Sequence, residues 1–586
     1  MALRGLAGKA AVAAALAFAL VTQAGGQSTP AFRPVTDAMI QHPDPEDWLS
    51  WRRTLDSWGY SPLKQINRNN VKHLVLAWSR PLGSGLQEGT PLIHDGVMYM
   101  PNPSDLTQAI NAATGDLIWQ YRRKEPKDLN QHIPHPDINR NLAIYGNLII
   151  DNGLDDVLYA LDAATGKVVW ETMVLDYHTK PSQQTSGPIT ANGRIFSGRG
   201  CEPFAGPEPC VVTAHDARTG TELWRTSTIE AYGGPGDSWG GYPWEGRWQV
   251  GSWMVPSYDP VLNLIFIGTS VTAPSPKFIF RGNDKQYLYH NSTLALNADT
   301  GKIVWYYQHI VDHWDLDHTF ERLLVDTAVT PDPGAVKWIN PRLKSGEKRR
   351  VVTGIPGKTG IVYTLDRTTG EFLWATPTIF QNVVRDIDPA TGKVTVNPET
   401  EFHKKGDHAL VCPSANGGMN WPAGAYSPLN NIMFYPLQNT CMDITAVVDK
   451  PDRQSLYGTL MRGRIAPGQK NVGTVYAISA VTGRVKWKYE QRAPTTSLVA
   501  TGSGLLFGGD ANGRFRAFDQ DTGKVLWETN LGSQVTGYPV TYAVNGRQYI
   551  AVSTGKSVAT ASNLLLTPEL HPGDGNNLFV FTLPEK

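Results

Sequence analysis

The chain has 586 residues, with 53 basic and 53 acidic side chains, 57 glycines and 41 prolines. The charge balance excludes a polyanion binder, so no nucleic-acid partner is expected. Glycine and proline punctuate the whole length and no long stretch shows a 3.6-residue period, which excludes a helical or coiled architecture.

In chain order, the first element is a leader. Arg4 and Lys9 precede an apolar run from Ala10 to Val21, and small residues follow at Thr22 and Ala24. This reads as a secretory signal peptide, residues 1–24, cleaved near Ala24. The run is too short to cross a bilayer, so no membrane span is expected. An exported chain resides in an oxidising compartment, where the four cysteines read as two disulfides. Cys201–Cys210 would close a hairpin loop and Cys412–Cys441 would staple a blade, although spacing alone fixes neither pairing. No Cys-x-x-Cys-His occurs, so no haem is expected on this chain.

The mature chain, 25–586, then carries one motif seven times: Ala-x-x-x-x-Thr-Gly-x-x-x-Trp, ending at Trp119, Trp170, Trp224, Trp305, Trp374, Trp487 and Trp527. Asp or Asn usually stands third, and Thr364 replaces the Ala in one copy. The pattern is a strand, a tight turn whose glycine supplies positive φ, and a second strand ending in an indole that packs on a neighbouring unit. One such unit cannot bury its own faces, so copies must stack. The spacing is that of four-stranded blades. The interval from Trp374 to Trp487 holds two, with a motif-less blade expected from Ile432 to Ile444. The expectation is an all-β, eight-bladed β-propeller with tryptophan-docking motifs, a single domain with scarce helix.

With this repeat behind a signal peptide, the chain resembles the pyrroloquinoline quinone (PQQ)-dependent alcohol dehydrogenases of the methanol and ethanol dehydrogenase type. The similarity opens at Asp-Ser-Trp-Gly-Tyr-Ser-Pro-Leu-Lys-Gln-Ile-Asn, residues 56–67, and runs to the last strand. It implies PQQ as cofactor. Trp253, in Gly-Ser-Trp-Met-Val-Pro, matches the residue that stacks under the quinone. The opposite face is covered in the methanol enzymes by a disulfide between adjacent cysteines. Here residues 134–140 contain no cysteine, so His135 or Pro136 would cover it. Arg140, Thr185 and Glu88 match the partners of the cofactor's polar groups, Gly200 and Cys201 border it, and Asn420 and Trp421 close its outer edge. Lys358, in Pro-Gly-Lys-Thr-Gly, would stabilise charge arriving on the quinone oxygens.

The same resemblance implies one Ca²⁺ or lanthanide ion held by Glu202, Asp315 and Asp317. Asp315 occupies the catalytic base position. Asp317, two residues on, is typical of lanthanide users and inclines the expectation slightly that way. The family's Asn ligand falls on Val271, so a water, a backbone carbonyl, Ser270 or Thr272 would substitute. The implied reaction oxidises a small-molecule alcohol to an aldehyde or ketone, with a soluble periplasmic cytochrome c as electron acceptor. Thr495 and the stretch 556–560 replace aromatic lid residues of the methanol enzymes, favouring bulky or secondary alcohols. A homodimer is compatible with the sequence. The competing class is a non-catalytic eight-bladed scaffold of cell-envelope assembly, in which Glu202, Asp315 and Lys358 would be incidental. A soluble PQQ sugar dehydrogenase fits less well, because that ring is six-bladed and lacks this Trp repeat.

Overall fold

The computed structural model describes residues 32–133, 137–201, 205–234, 236–273, 275–280, 282–449 and 457–585. The expected leader, His135, Pro136 and Glu202 lie outside them. The motif folds in the same way in every copy. Its first residue pairs directly across the hairpin with its Trp, as in Ala109 with Trp119 and Ala160 with Trp170, and the register shifts beside that pair. The same pairing, Thr364 with Trp374 included, recurs through the other five copies. The third residue staples the turn: Asn111 Oδ1 accepts from the amides of Ala113 and Thr114 at 2.9 and 3.2 Å.

The Thr-Gly glycine is needed twice. Gly166 has φ +70°, and a Cβ built there would stand 2.5 Å from Trp119 Cε3 of the preceding blade. The Trp119 indole N–H donates to Ala163 O at 2.9 Å, three residues before that glycine. Other motif indoles lie likewise on the turn of the next blade, as Trp224 does over Gly301 and Trp487 over Gly523. Inner strands such as Leu148–Asn152 are buried along their whole length, whereas outer strands such as Val168–Met173 face solvent on one side.

Eight four-stranded antiparallel sheets form the ring among the described residues, two of them with a short added strand. The eighth blade is not where the repeat spacing puts it. Ile432–Gln438 is the second strand of the blade ending in Trp487, and Thr440–Ala446 belongs to a separate three-stranded sheet with His408–Val411 and Thr459–Ile465. The long interval is therefore an excursion. The remaining blade joins the two ends of the chain: Val75–Pro81 pairs with Asn577–Thr582, which continues into Arg547–Thr554 and Val540–Val544. The opening segment then crosses the ring, with Ser61 pairing with Thr501, Trp58 donating to Leu324 O at 2.8 Å, and buried Arg52 donating to Gly424 O and Leu498 O.

Both expected disulfides are present. Cys412–Cys441 ties the end of His408–Val411 to its neighbour in the excursion sheet, with both cysteines fully buried. Replacing either by serine is expected to lower stability by about 2–5 kcal/mol. Denaturant unfolding checks this, and free thiols at both positions in the non-reduced protein would refute it.

Candidate active site

The connections that leave an outer strand for the next blade, and those that join the second and third strands of a blade, open on one face of the ring. Glu88, Arg140, Thr185, Trp253, Asp315, Asp317, Asn420 and Trp421 lie on the first kind, and Gly200, Cys201, Ser270 and Lys358 on the second. All of them line one cavity of about 410 Å³. That volume lies in the ordinary range for small-molecule sites. Every described residue expected to hold the cofactor or the cation, or to act in catalysis, is therefore brought together.

One wall is cationic and aromatic. Arg140 is paired with Glu88 at 2.6 Å, both almost fully buried, and its other arm donates to Thr185 O at 3.2 Å. The guanidinium carbon stands 5.1 Å from the centre of the Trp253 ring. Trp253 is half-buried, held edge-on against Phe320, and its indole N–H donates to Asp317 Oδ2 at 3.1 Å. Trp421 N donates to Asn420 Oδ1 at 2.7 Å, and the Trp421 indole donates to Ser557 Oγ at 3.1 Å.

The floor holds three charges. Lys358 Nζ is 2.6 Å from Asp315 Oδ1 and 3.3 Å from Asp317 Oδ2. Asp315 and Asp317, two residues apart, both line the same cavity. Burial pushes Asp315 up to about 7, against the pull of the Lys358 ammonium. Burial alone would lower Lys358, but Asp315 and Asp317 hold it above its ordinary value. Asp317 Oδ1 also accepts from Val271 N at 2.9 Å, so Val271 fixes a carboxylate through its backbone. Ser270 Oγ donates to Gln249 O and accepts from Gly251 N, and Thr272 Oγ1 donates to Trp248 O. Both hydroxyls expected to replace the missing Asn thus already have partners.

Comparison with known proteins identifies the family. The description "Glucose/ethanol/alcohol dehydrogenase, beta-propeller domain", headed PQQ, matches residues 48–383 and 469–550. The chain belongs to the PQQ-dependent quinoprotein alcohol dehydrogenases. It is 31% identical over 559 residues to the alcohol dehydrogenase (quinone), dehydrogenase subunit, of Komagataeibacter europaeus, covering 89% of this chain and 73% of that one. It is 33% identical over 529 residues to quinoprotein alcohol dehydrogenase PedH of Pseudomonas putida, covering 85% and 84%. A europium-containing methanol dehydrogenase superposes with a TM-score of 0.83 at 26% identity, covering 94% of this chain and all of that one. Membership makes the chain an alcohol-oxidising enzyme and displaces the scaffold reading.

The cavity fits a quinoprotein's cofactor on its own evidence. Arg140 Nε and Gln249 Oε1 are buried without a hydrogen-bond partner, a donor and an acceptor left over in a cavity wall. Sequence reasoning missed Gln249, Ile138, Asn416 and Tyr457, which also line it. The Tyr457 phenol is hydrogen-bonded to Asp315. It follows a stretch with no motif, so nothing in its neighbours signalled it. The lid expectation is corrected in one part. Thr495 is buried in the strand Thr495–Thr501, its hydroxyl donating to Leu437 O at 3.0 Å, and it does not reach the cavity. Val558 and Ala559, in the helix Val558–Leu564, do line it.

Proposed function

We propose that this enzyme oxidises bulky or secondary alcohols in the periplasm and passes the electrons to a separate cytochrome c. The observation that carries the chemistry is the Asp315–Lys358–Asp317 cluster, set under a half-buried indole and a buried arginine in one cavity. When bound, PQQ supplies the hydride acceptor. Trp253 offers it a flat face, Arg140 and Thr185 meet its carboxylates, Glu88 sets the Arg140 guanidinium, Gly200 and Cys201 border the slot, and Asn420 and Trp421 close the outer edge. Asp315 takes the hydroxyl proton of the alcohol, and its carboxyl, lifted toward neutrality by burial, is suited to that exchange. Lys358 keeps a positive charge beside the reacting oxygens and holds Asp315 in place. Glu202, Asp315 and Asp317 would hold one hard cation, Ca²⁺ or a lanthanide, which supplies Lewis acidity.

The small side chains of Val558 and Ala559 at the rim support a wide mouth. Two formed disulfides support an oxidising compartment. Dye reduction by PQQ-loaded enzyme across a panel of alcohols tests the substrate class; a preference for methanol would overturn it.

The cation is tested separately. Three carboxylates suit a trivalent ion, so metal-stripped enzyme is expected to recover activity at lower La³⁺ than Ca²⁺, and Asp317→Ala is expected to reverse that order. Titrations decide this. Better reactivation by Ca²⁺ in the wild type, unchanged in Asp317→Ala, would remove Asp317 from the ligand set.

A further inference from the structure

A second cluster of ligating side chains lies outside the cavity and is not used by the alcohol chemistry. Asp128 is the N-cap of the short helix Leu129–His132, and its carboxylate makes no capping bond to the helix. His132 stands four residues on, one turn away on the same side. The loop after the strand Val168–Met173 returns against this turn. His178 packs edge-on to His132 with ring centres 5.1 Å apart, and its Nε2 is 3.0 Å from Asp128 Oδ2. One ligand atom from each of Asp128, His132 and His178 lies within 4.8 Å of the others. Behind them, Asp176 Oδ1 is 3.1 Å from His178 Nδ1, and the Tyr177 hydroxyl donates to Asp128 Oδ1 at 2.8 Å.

We propose that Asp128, His132 and His178 form a binding site for a divalent transition-metal cation, Zn²⁺ above all, with Asp176 and Tyr177 orienting the ligands. Two imidazoles and one carboxylate are the donor set of zinc, whereas Ca²⁺ takes six to eight oxygens. Ligand atoms on one tetrahedral zinc stand about 3.3 Å apart, given bonds of about 2.0–2.1 Å. The 3.0 Å separation of Asp128 Oδ2 and His178 Nε2 is already near that spacing. Asp176 on His178 Nδ1 is the carboxylate–histidine arrangement that directs Nε2 toward Asp128 Oδ2, and the Tyr177 hydroxyl fixes the other Asp128 oxygen, so a cation would replace the proton between Nε2 and Oδ2. The cluster is open to solvent, with His178 and Asp128 side chains 50% and 40% exposed, so a cation can enter and a water can complete the shell. A bound ion would fasten the helix Leu129–His132 to the loop at 176–178. That helix leads, within a few residues, to Ile138 and Arg140 in the cavity wall.

The test uses enzyme carrying PQQ and its active-site cation, freed of excess metal. It is titrated with Zn²⁺ alone by calorimetry and with Co²⁺ alone by visible spectroscopy. One further Zn²⁺ per chain is expected, together with the intense Co²⁺ absorption of a four- or five-coordinate nitrogen-containing site. His132→Ala and His178→Ala should each lose that equivalent, and the milder Asp176→Asn should weaken it about 10–100-fold. No additional Zn²⁺ in the wild type, or the same stoichiometry and affinity in wild type, His132→Ala and His178→Ala, overturns the site.

Discussion

Asp315→Asn is expected to abolish turnover while leaving PQQ bound. The substitution keeps the size of the side chain and an oxygen that can accept from Lys358, now 2.6 Å from Asp315 Oδ1, so the cavity wall is preserved. It removes the one carboxylate that combines contact with Lys358, contact with Tyr457, and a titration lifted to about 7 by burial. Loss of a positioned proton acceptor costs about 10²–10⁴-fold in rate. Dye-linked kcat on enzyme whose PQQ content has been measured by absorbance gives the comparison. Retention of more than about a tenth of the wild-type rate would sink the base assignment on that scale.

The site was legible in the sequence to the extent that each residue sits inside a local string that fixes its backbone. Trp253, Lys358, Asn420 and Asp315 are embedded in such strings, and all four reach the cavity. Tyr457, Gln249 and Asn416 are not, because a long connection brings in a side chain with no periodic constraint on it. Thr495 failed for the opposite reason. It opens a paired strand, beside a register irregularity, where its hydroxyl donates to Leu437 O and does not reach the cavity. Asp317 illustrates what a string cannot give: that its two oxygens already meet Val271 N, the Trp253 indole and Lys358 follows only from three blades converging.

The fold was legible where the motif is closed within one hairpin. Ala, Asp or Asn, Thr-Gly and Trp report each other because they share a turn, and seven blades follow from them. The blade that closes the ring has its third and fourth strands at opposite ends of the chain, Asn577–Thr582 and Val75–Pro81. No turn joins them, so no Thr-Gly marks that blade, and the longest interval between motifs holds an excursion sheet instead. The Trp of the closing blade is nevertheless present. Trp78 faces Val580 beside a register shift, as the other seven face their small partners, and its indole donates to Ala112 O at 3.2 Å.

Trp78→Ala is accordingly expected to cost about 3–5 kcal/mol, the range for truncating a buried aromatic. Trp78 is 9% exposed, and its ring lies on Gly115, whose φ is +82° and whose added Cβ would meet Trp78 Cε3 at 2.7 Å. Removing the ring leaves a void between the closing blade and the next, beside the strands from opposite ends of the chain that pair within the closing blade. Gly115→Ala supplies the second arm. Alone it suffers both the steric clash and the positive φ; with Trp78→Ala in place only the φ strain persists, so the two losses should sum to more than the double variant shows. Denaturant unfolding of the single and double variants measures that coupling. If Trp78→Ala falls within about 0.5 kcal/mol of wild type, as a surface substitution would, Trp78 is not a docking residue and strand pairing alone closes the ring.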